Sequence, residues 1–175
     1  MNYLSIGNPT DKISYAIFED SKLRAYGDYQ FKSTDEINKA MELERSIMGL
    51  ILNYKIDFVL VKWLDYLRLK RSLALDLVSF RSIIRLACGK TNTIYLEVDN
   101  YGWSKYLLEK NKSKYKVDVI NKAYDLNLKN DINLMKGNQE TIADCIMLGE
   151  AMAHNRITSK PRQPIVYKWQ NDFRD

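Results

Sequence analysis

The stretch from Tyr3 to Phe31, YLSIGNPTDKISYAIFEDSKLRAYGDYQF, decides the fold class. It contains three short segments in which aromatic and branched residues recur between polar ones. This pattern predicts strands at 3–6, 13–18 and 23–31. Asp20 and Ser21 predict a tight turn between the second and third strands. Strands this close along the chain are expected to pair as an antiparallel meander.

Helical and strand patterns alternate after the meander. Ser33 and Glu36 have the spacing of a capping box, so we predict a helix that starts at this point and carries its apolar residues at helical spacing. The other predicted elements are strands at 58–61 and 93–98 and helices at 72–87, 103–109, 117–124 and 139–155, with stop and cap residues at Gly89 and Asn138. Right-handed crossovers would make the later strands parallel. The predicted fold class is therefore α/β, with a mixed five-stranded sheet flanked by helices on both faces.

Length and composition bound the domain organisation. The chain has 175 residues, 46% of them hydrophobic and 28% charged, which is the balance of a globular protein. We predict one domain over 1–156, followed by an extended basic C-terminal tail over 157–175 that contains two prolines. No apolar run reaches the ~18 residues of a membrane span. No signal peptide pattern is present, and Cys88 and Cys145 read as reduced core residues, so we expect a cytoplasmic protein without a membrane partner.

The formal net charge is +5, and many of the basic residues occur in clusters along the sequence. Lysines can contact backbone phosphates, and the aromatic residues among them can stack on bases, so the clusters favour DNA as a partner. A solvated charged face is the alternative. The candidate DNA-binding residues are Arg68, Lys70, Arg71, Lys105, Lys110, Lys112, Lys114 and Lys116. The Lys, Asn, Ile and Tyr content would also suit an AT-rich, phage-like genome.

The element order and several motifs resemble the RuvC-like Holliday junction resolvase family, whose members have the RNase H-like fold. Ser5–Pro9 (SIGNP) followed by Ser14–Phe18 (SYAIF) is similar to the family's Ile-Asp-Pro-Gly strand end and the Gly-Tyr strand after it. Phe58–Lys62 matches the strand that ends in a glutamate. Asn100–Leu107 and the lysines after it resemble the family's segment after the fifth strand. Thr141–Ala151 is similar to the final Asp-Glu-Ala-Asp-Ala motif.

The resemblance implies a nuclease in which carboxylates hold two divalent metals. The metals activate water and stabilise the leaving oxygen. In this chain the matching positions are Gly7, Lys62, Thr141 and Asp144, so only Asp144 keeps a carboxylate. We therefore predict a degenerate, vestigial site that needs no cofactor. Lys62 and Asp144 are expected to form an ion pair in place of the metals. Alternatively, Lys62 extends to solvent at the strand end.

Three functions follow from these expectations. The leading one is a RuvC-like protein of DNA recombination that binds branched or duplex DNA, with cleavage lost or strongly weakened. The second is an active Mg- or Mn-dependent resolvase, in which Asp144 and Glu140 are catalytic and a rearranged metal site also uses Asp11 and Glu97. The third is an interaction scaffold without a nucleic acid role. The helix at 72–87 could form a homodimer through Leu73, Leu77 and Phe80, or simply cover the sheet.

Overall fold

A computed structural model describes residues 1–7, 12–62, 71–98, 107–110, 112–131, 134–135 and 138–154, with the side chains of 71–75 excluded. The predicted tail at 157–175 lies outside this part of the chain. The strands are β1 (Asn2–Ile6), β2 (Lys12–Glu19), β3 (Lys22–Gln30), β4 (Phe58–Lys62) and β5 (Ile94–Val98). The helices are α1 (Glu36–Tyr54), α2 (Arg71–Lys90), α3 (Lys116–Tyr124) and α4 (Gln139–Ala153), and residues 107–110 add one helical turn.

The strands form one mixed sheet in the order β3-β2-β1-β4-β5. β1 and β2 pair antiparallel, with Ile6 opposite Tyr15, and β2 continues antiparallel to β3. β4 lies parallel to β1, and β5 lies parallel to β4. The turn at Asp20 and Ser21 is present, and both residues have positive φ angles of 48° and 65°. The predicted sheet, with three antiparallel strands followed by parallel strands, is confirmed.

Helices cover both faces of this sheet, as the alternation of apolar strand residues requires. On one face, Leu4, Ile6 and Val61 pack in a core with buried residues of α1 and α2. On the other face, Tyr3, Phe18 and Leu60 pack with α3 and α4. β1 and β4 are buried on both sides, which explains the continuous apolar run of β4. None of the described helices is both long and apolar enough to span a membrane.

Helix α4 lies against the centre of the sheet through specific polar and steric contacts. The Ser5 hydroxyl on β1 donates to the Cys145 carbonyl at 2.6 Å, and the Cys145 thiol donates to the Ser14 carbonyl at 3.2 Å. Gly149 permits the close approach, because a Cβ at this position would lie 2.0 Å from the Phe18 ring. The position of α4 therefore depends on β1, β2 and one glycine.

The role of Gly149 can be tested by comparison with Gly49, which also lies within a helix. A Cβ at Gly49 would meet nothing within 4 Å. Gly49→Ala should therefore stabilise the protein by about 0.5–1 kcal/mol through helix propensity. Gly149→Ala should instead destabilise it by about 1–3 kcal/mol, because the buried Phe18 ring must move. Urea unfolding of both variants measures the difference, and equal stability of the two would contradict the packing described here.

Local details differ from the sequence expectation at two helix ends. The capping box of Ser33 and Glu36 is absent, since Asp35 is the cap of α1 and accepts from the Asn38 amide at 2.9 Å. α2 continues through Gly89, and Asn92 takes the left-handed conformation after it, with a φ of 52°.

The expectation for the two cysteines is confirmed, because Cys88 and Cys145 are free and buried. Burial raises the pKa of the Cys88 thiol to about 12.

Candidate functional site

The carboxyl ends of β1 and β4 meet the middle of α4, and the four positions matched to family carboxylates converge there. Ile6 pairs with Val61, so Gly7 and Lys62 follow adjacent strand ends. A cavity of about 170 Å³ opens at this place. Its lining residues are Ile6, Gly7, Lys62, Thr141, Asp144, Cys145 and Leu148. Ligand sites of α/β folds commonly lie at the carboxyl ends of parallel strands, so this cavity is the candidate site.

Lys62 and Asp144 form the ion pair expected from the sequence. The Lys62 Nζ lies 3.2 Å from the Asp144 Oδ2, and the two side chains are only 16% and 18% exposed. The alternative, in which Lys62 extends into solvent, does not occur. The sequence did not predict a second cation: the Lys116 Nζ, at the start of α3, lies 2.7 Å from the Asp144 Oδ1. One carboxylate is thus held between two ammonium groups.

The described residues of the site do not fit the divalent metals that the family resemblance implies. Of the described residues lining the cavity, Asp144 alone carries a carboxylate, and both of its oxygens face ammonium groups. Magnesium requires several hard oxygen ligands, and unit charges of like sign a few ångströms apart repel by several kcal/mol at moderate dielectric. Within the described ranges, no group of three or more His, Cys, Asp or Glu residues is placed to hold a metal.

A buried arginine supports the end of β4. Arg81 on α2 is 3% exposed, and its guanidinium donates to the Lys62 carbonyl oxygen and lies 3.6 Å from Glu97. Arg85 contacts the same carboxylate at 2.6 Å, and the Tyr95 hydroxyl donates to it at 2.9 Å. Burial, with the nearby Glu97 charge, raises the pKa of Tyr95, so this hydroxyl remains a donor. The network fixes the backbone from which the Lys62 side chain extends.

The rearranged metal site proposed from the sequence is not assembled among the described residues. Glu97 is engaged by Arg81, Arg85 and Tyr95, and it does not line the cavity. Glu140 is exposed on the first turn of α4 and is also absent from the cavity lining. Its position one turn before Asp144 follows the sequence expectation for a shared helix, but the two carboxylates do not converge. Asp11 lies outside the described residues.

The candidate DNA-binding residues are only partly described. Lys110, Lys112 and Lys114 are exposed, and Lys114 lies 5.3 Å from the centre of the Tyr115 ring. Lys116 differs from them because its Nζ contacts Asp144 of the candidate site. Lys105, Arg68, Lys70 and the side chain of Arg71 lie outside the described part of the chain. The exposed lysines thus belong to the same short segment as a cation of the site, a link that the sequence did not predict.

Two of the three apolar α2 residues considered for a homodimer pack within the protein itself. Leu77 is 3% exposed, and Phe80 stacks on Phe31 with ring centres 5.9 Å apart. The side chain of Leu73 is not described. A dimer through the helix at 72–87 stays a prediction, since Val78 and Leu86 leave apolar surface exposed on this helix.

The fold corresponds to the RNase H-like fold in its RuvC form. Thermus thermophilus RuvC, solved in complex with a Holliday junction substrate, superposes with a TM-score of 0.69 at 10% identity, covering 90% of this chain and 96% of RuvC. A second Thermus thermophilus RuvC structure gives 0.66 at 9% identity over 89% and 96%. The yeast mitochondrial Holliday junction resolvase Ydc2 gives 0.61 at 13% identity over 89% and 81%. No protein-family model and no curated protein sequence matches the chain.

Proposed function

We propose that this chain is a RuvC-like protein that binds branched or duplex DNA, and that its metal-dependent cleavage is lost or strongly weakened. The observation that carries the proposal is the site itself. In a fold shared with Holliday junction resolvases, the four converging positions hold a glycine, a lysine, a threonine and one aspartate. We expect DNA binding without any cofactor.

The proposed DNA binding is supported by a structurally similar protein and by the positive net charge of this chain. One neighbour was solved with a Holliday junction substrate. The net charge here is +5, and exposed Lys110, Lys112 and Lys114 lead along the chain to Lys116 at the site. Lysines that neutralise phosphates release condensed counterions, and this term dominates non-specific DNA affinity.

The expected result is binding of a labelled four-way junction and of a matched duplex in EDTA, measured by fluorescence anisotropy. Four phosphate contacts would lower the binding constant roughly a hundredfold between about 50 and 200 mM salt. No cleavage of the junction is expected in Mg²⁺ or Mn²⁺. Binding that is insensitive to salt, or that is absent, would reject the DNA role and favour a protein-interaction scaffold.

The same assay separates the rival nuclease function. Metal-dependent cleavage that disappears in Asp144→Asn would establish an active enzyme with rearranged ligands and overturn the loss of activity. Cleavage that persists unchanged in Asp144→Asn would exclude this site as its source.

A further inference from the structure

We infer that Lys62 and Lys116 together form a metal-independent binding site for a backbone phosphate of DNA, and that Asp144 positions them. This inference deepens the proposed function and rests on it. It assigns a ligand class, a phosphodiester group, to the cavity between β1, β4 and α4. In this site the ammonium groups of lysines would take the place of bound metal ions.

The geometry of the two lysines is the first argument. Their Nζ atoms contact different oxygens of one carboxylate, at 3.2 Å for Lys62 and 2.7 Å for Lys116. Asp144, which lines the cavity together with Lys62, therefore brings the ammonium group of Lys116 to the edge of the same site. An ammonium group has three N–H donors, and one ion-pair contact with a carboxylate does not engage all of them. A bound phosphate oxygen could accept another without separating the ion pair.

The charge of the site is the second argument. Among these three side chains, Lys62 and Lys116 contribute two positive charges and Asp144 one negative charge, so positive charge is in excess within the group. The side chains are 16%, 31% and 18% exposed, so water screens this excess less than it would at an open surface. A phosphodiester carries one negative charge and would be attracted to the two ammonium groups. The cavity of about 170 Å³ leaves space for such a group beside Lys62 and Asp144.

The support around the site is the third argument. Arg81 binds the carbonyl of Lys62, and Ser5 binds the carbonyl next to Asp144, at Cys145. Both groups are therefore held by buried parts of the sheet and helices. Binding to groups that are already in place costs less conformational entropy than ordering surface lysines. This distinguishes Lys62 and Asp144 from the exposed Lys110, Lys112 and Lys114.

Removal of either lysine is expected to weaken DNA binding. Lys62→Met and Lys116→Met should each lower the affinity for duplex DNA in EDTA roughly tenfold at low salt, and reduce the slope of log affinity against log salt by about one. Lys90→Met is the matched control. Lys90 is also paired, with Glu44 at 2.6 Å, but it lies at the other end of α2 from the site.

Asp144→Asn gives the most specific result, because the sign of its effect is opposite to that expected for a metal ligand. Because the Asp144 carboxylate then no longer competes with phosphate for the two ammonium groups, affinity in EDTA should rise roughly three- to tenfold. Glu44→Gln is the control, since it also removes one negative charge from a lysine ion pair. It should change the affinity less than twofold. Circular dichroism verifies that each variant is folded.

The outcomes separate the inference from the proposed function. If the unsubstituted protein binds DNA in EDTA but the variants at Lys62, Lys116 and Asp144 bind like their controls, the phosphate site is wrong and the DNA role stands. If the unsubstituted protein does not bind DNA, the proposed function itself fails. If Asp144→Asn binds DNA more weakly than Glu44→Gln, Asp144 does not oppose phosphate binding, and the inference is overturned.

Discussion

A variant that combines Gly7→Asp, Lys62→Glu and Thr141→Asp is expected to unfold at a higher temperature when Mn²⁺ is added. The unsubstituted protein is expected to show no such shift. Together with Asp144, the three new carboxylates would surround one cavity and repel one another in the absence of metal. At a metal concentration a hundred times the Kd, binding would stabilise the fold by about 2.7 kcal/mol. For a chain of this size, that corresponds to roughly 5–10 °C.

Thr141 has to change together with Gly7. A Cβ at Gly7 would lie 2.8 Å from the Thr141 γ-methyl, and aspartate has a single γ-atom that can take another rotamer. The control adds Asp144→Asn to the three substitutions and should lose most of the shift. Differential scanning fluorimetry with Mn²⁺ measures both proteins. A folded triple variant without any response to Mn²⁺ would show that these positions do not form the equivalent of a metal site.

Arg81→Met is expected to destabilise the protein by about 3–5 kcal/mol. This is the cost of removing one partner of a buried ion pair while the other partner remains. The substitution leaves Glu97, whose side chain is 13% exposed, with fewer cations, and leaves the Lys62 carbonyl without its guanidinium donor. Arg85→Met is the matched control. It removes a shorter contact to the same carboxylate, but Arg85 is 54% exposed, so a cost of about 1 kcal/mol or less is expected.

Urea unfolding of Arg81→Met, Arg85→Met and the double variant Arg81→Met/Glu97→Gln completes this test. The double variant should recover part of the loss, because it also removes the carboxylate that Arg81 neutralises. Equal destabilisation by the two arginine variants would mean that burial does not distinguish them. This result would contradict the conclusion that buried Arg81 stabilises the end of β4.

The order of strands and helices could be predicted because it depends on local periodicity. The meander shows alternating residues, and β4 shows the unbroken apolar run of a strand that is covered twice. Helix ends were less predictable, because several side chains compete for the same amides. Glu42 accepts the amides of Lys32 and Ser33, and this leaves Asp35 as the cap of α1.

The buried face of α1 was only partly predictable for a related reason. Ile47 and Ile51 are buried as expected, but Ile37 is 72% exposed and Met41 is 44% exposed. Helical spacing identifies which residues share a face. It does not identify where the sheet beneath that face ends, since this depends on tertiary packing.

The ion pair of Lys62 and Asp144 could be predicted because matched motifs placed both residues at one site. Lys116 and Arg81 could not be predicted in this way. Both are single basic residues whose partners lie far away along the chain, and no local pattern separates them from surface cations. Their roles follow from the docking of α3 and α2 beside the site, which only the three-dimensional structure describes.

The tight approach of Gly7 to Thr141 also restricts the order in which a lineage could acquire acidic groups in this cavity. A change at Gly7 that comes first meets the γ-methyl at 2.8 Å and is penalised at once. A substitution of Thr141 by aspartate that comes first removes the γ-methyl group, so that a side chain at position 7 can follow. Descendants that gained both residues would therefore be expected to pass through the Thr141 substitution, a historical route that reconstructed intermediates could retrace.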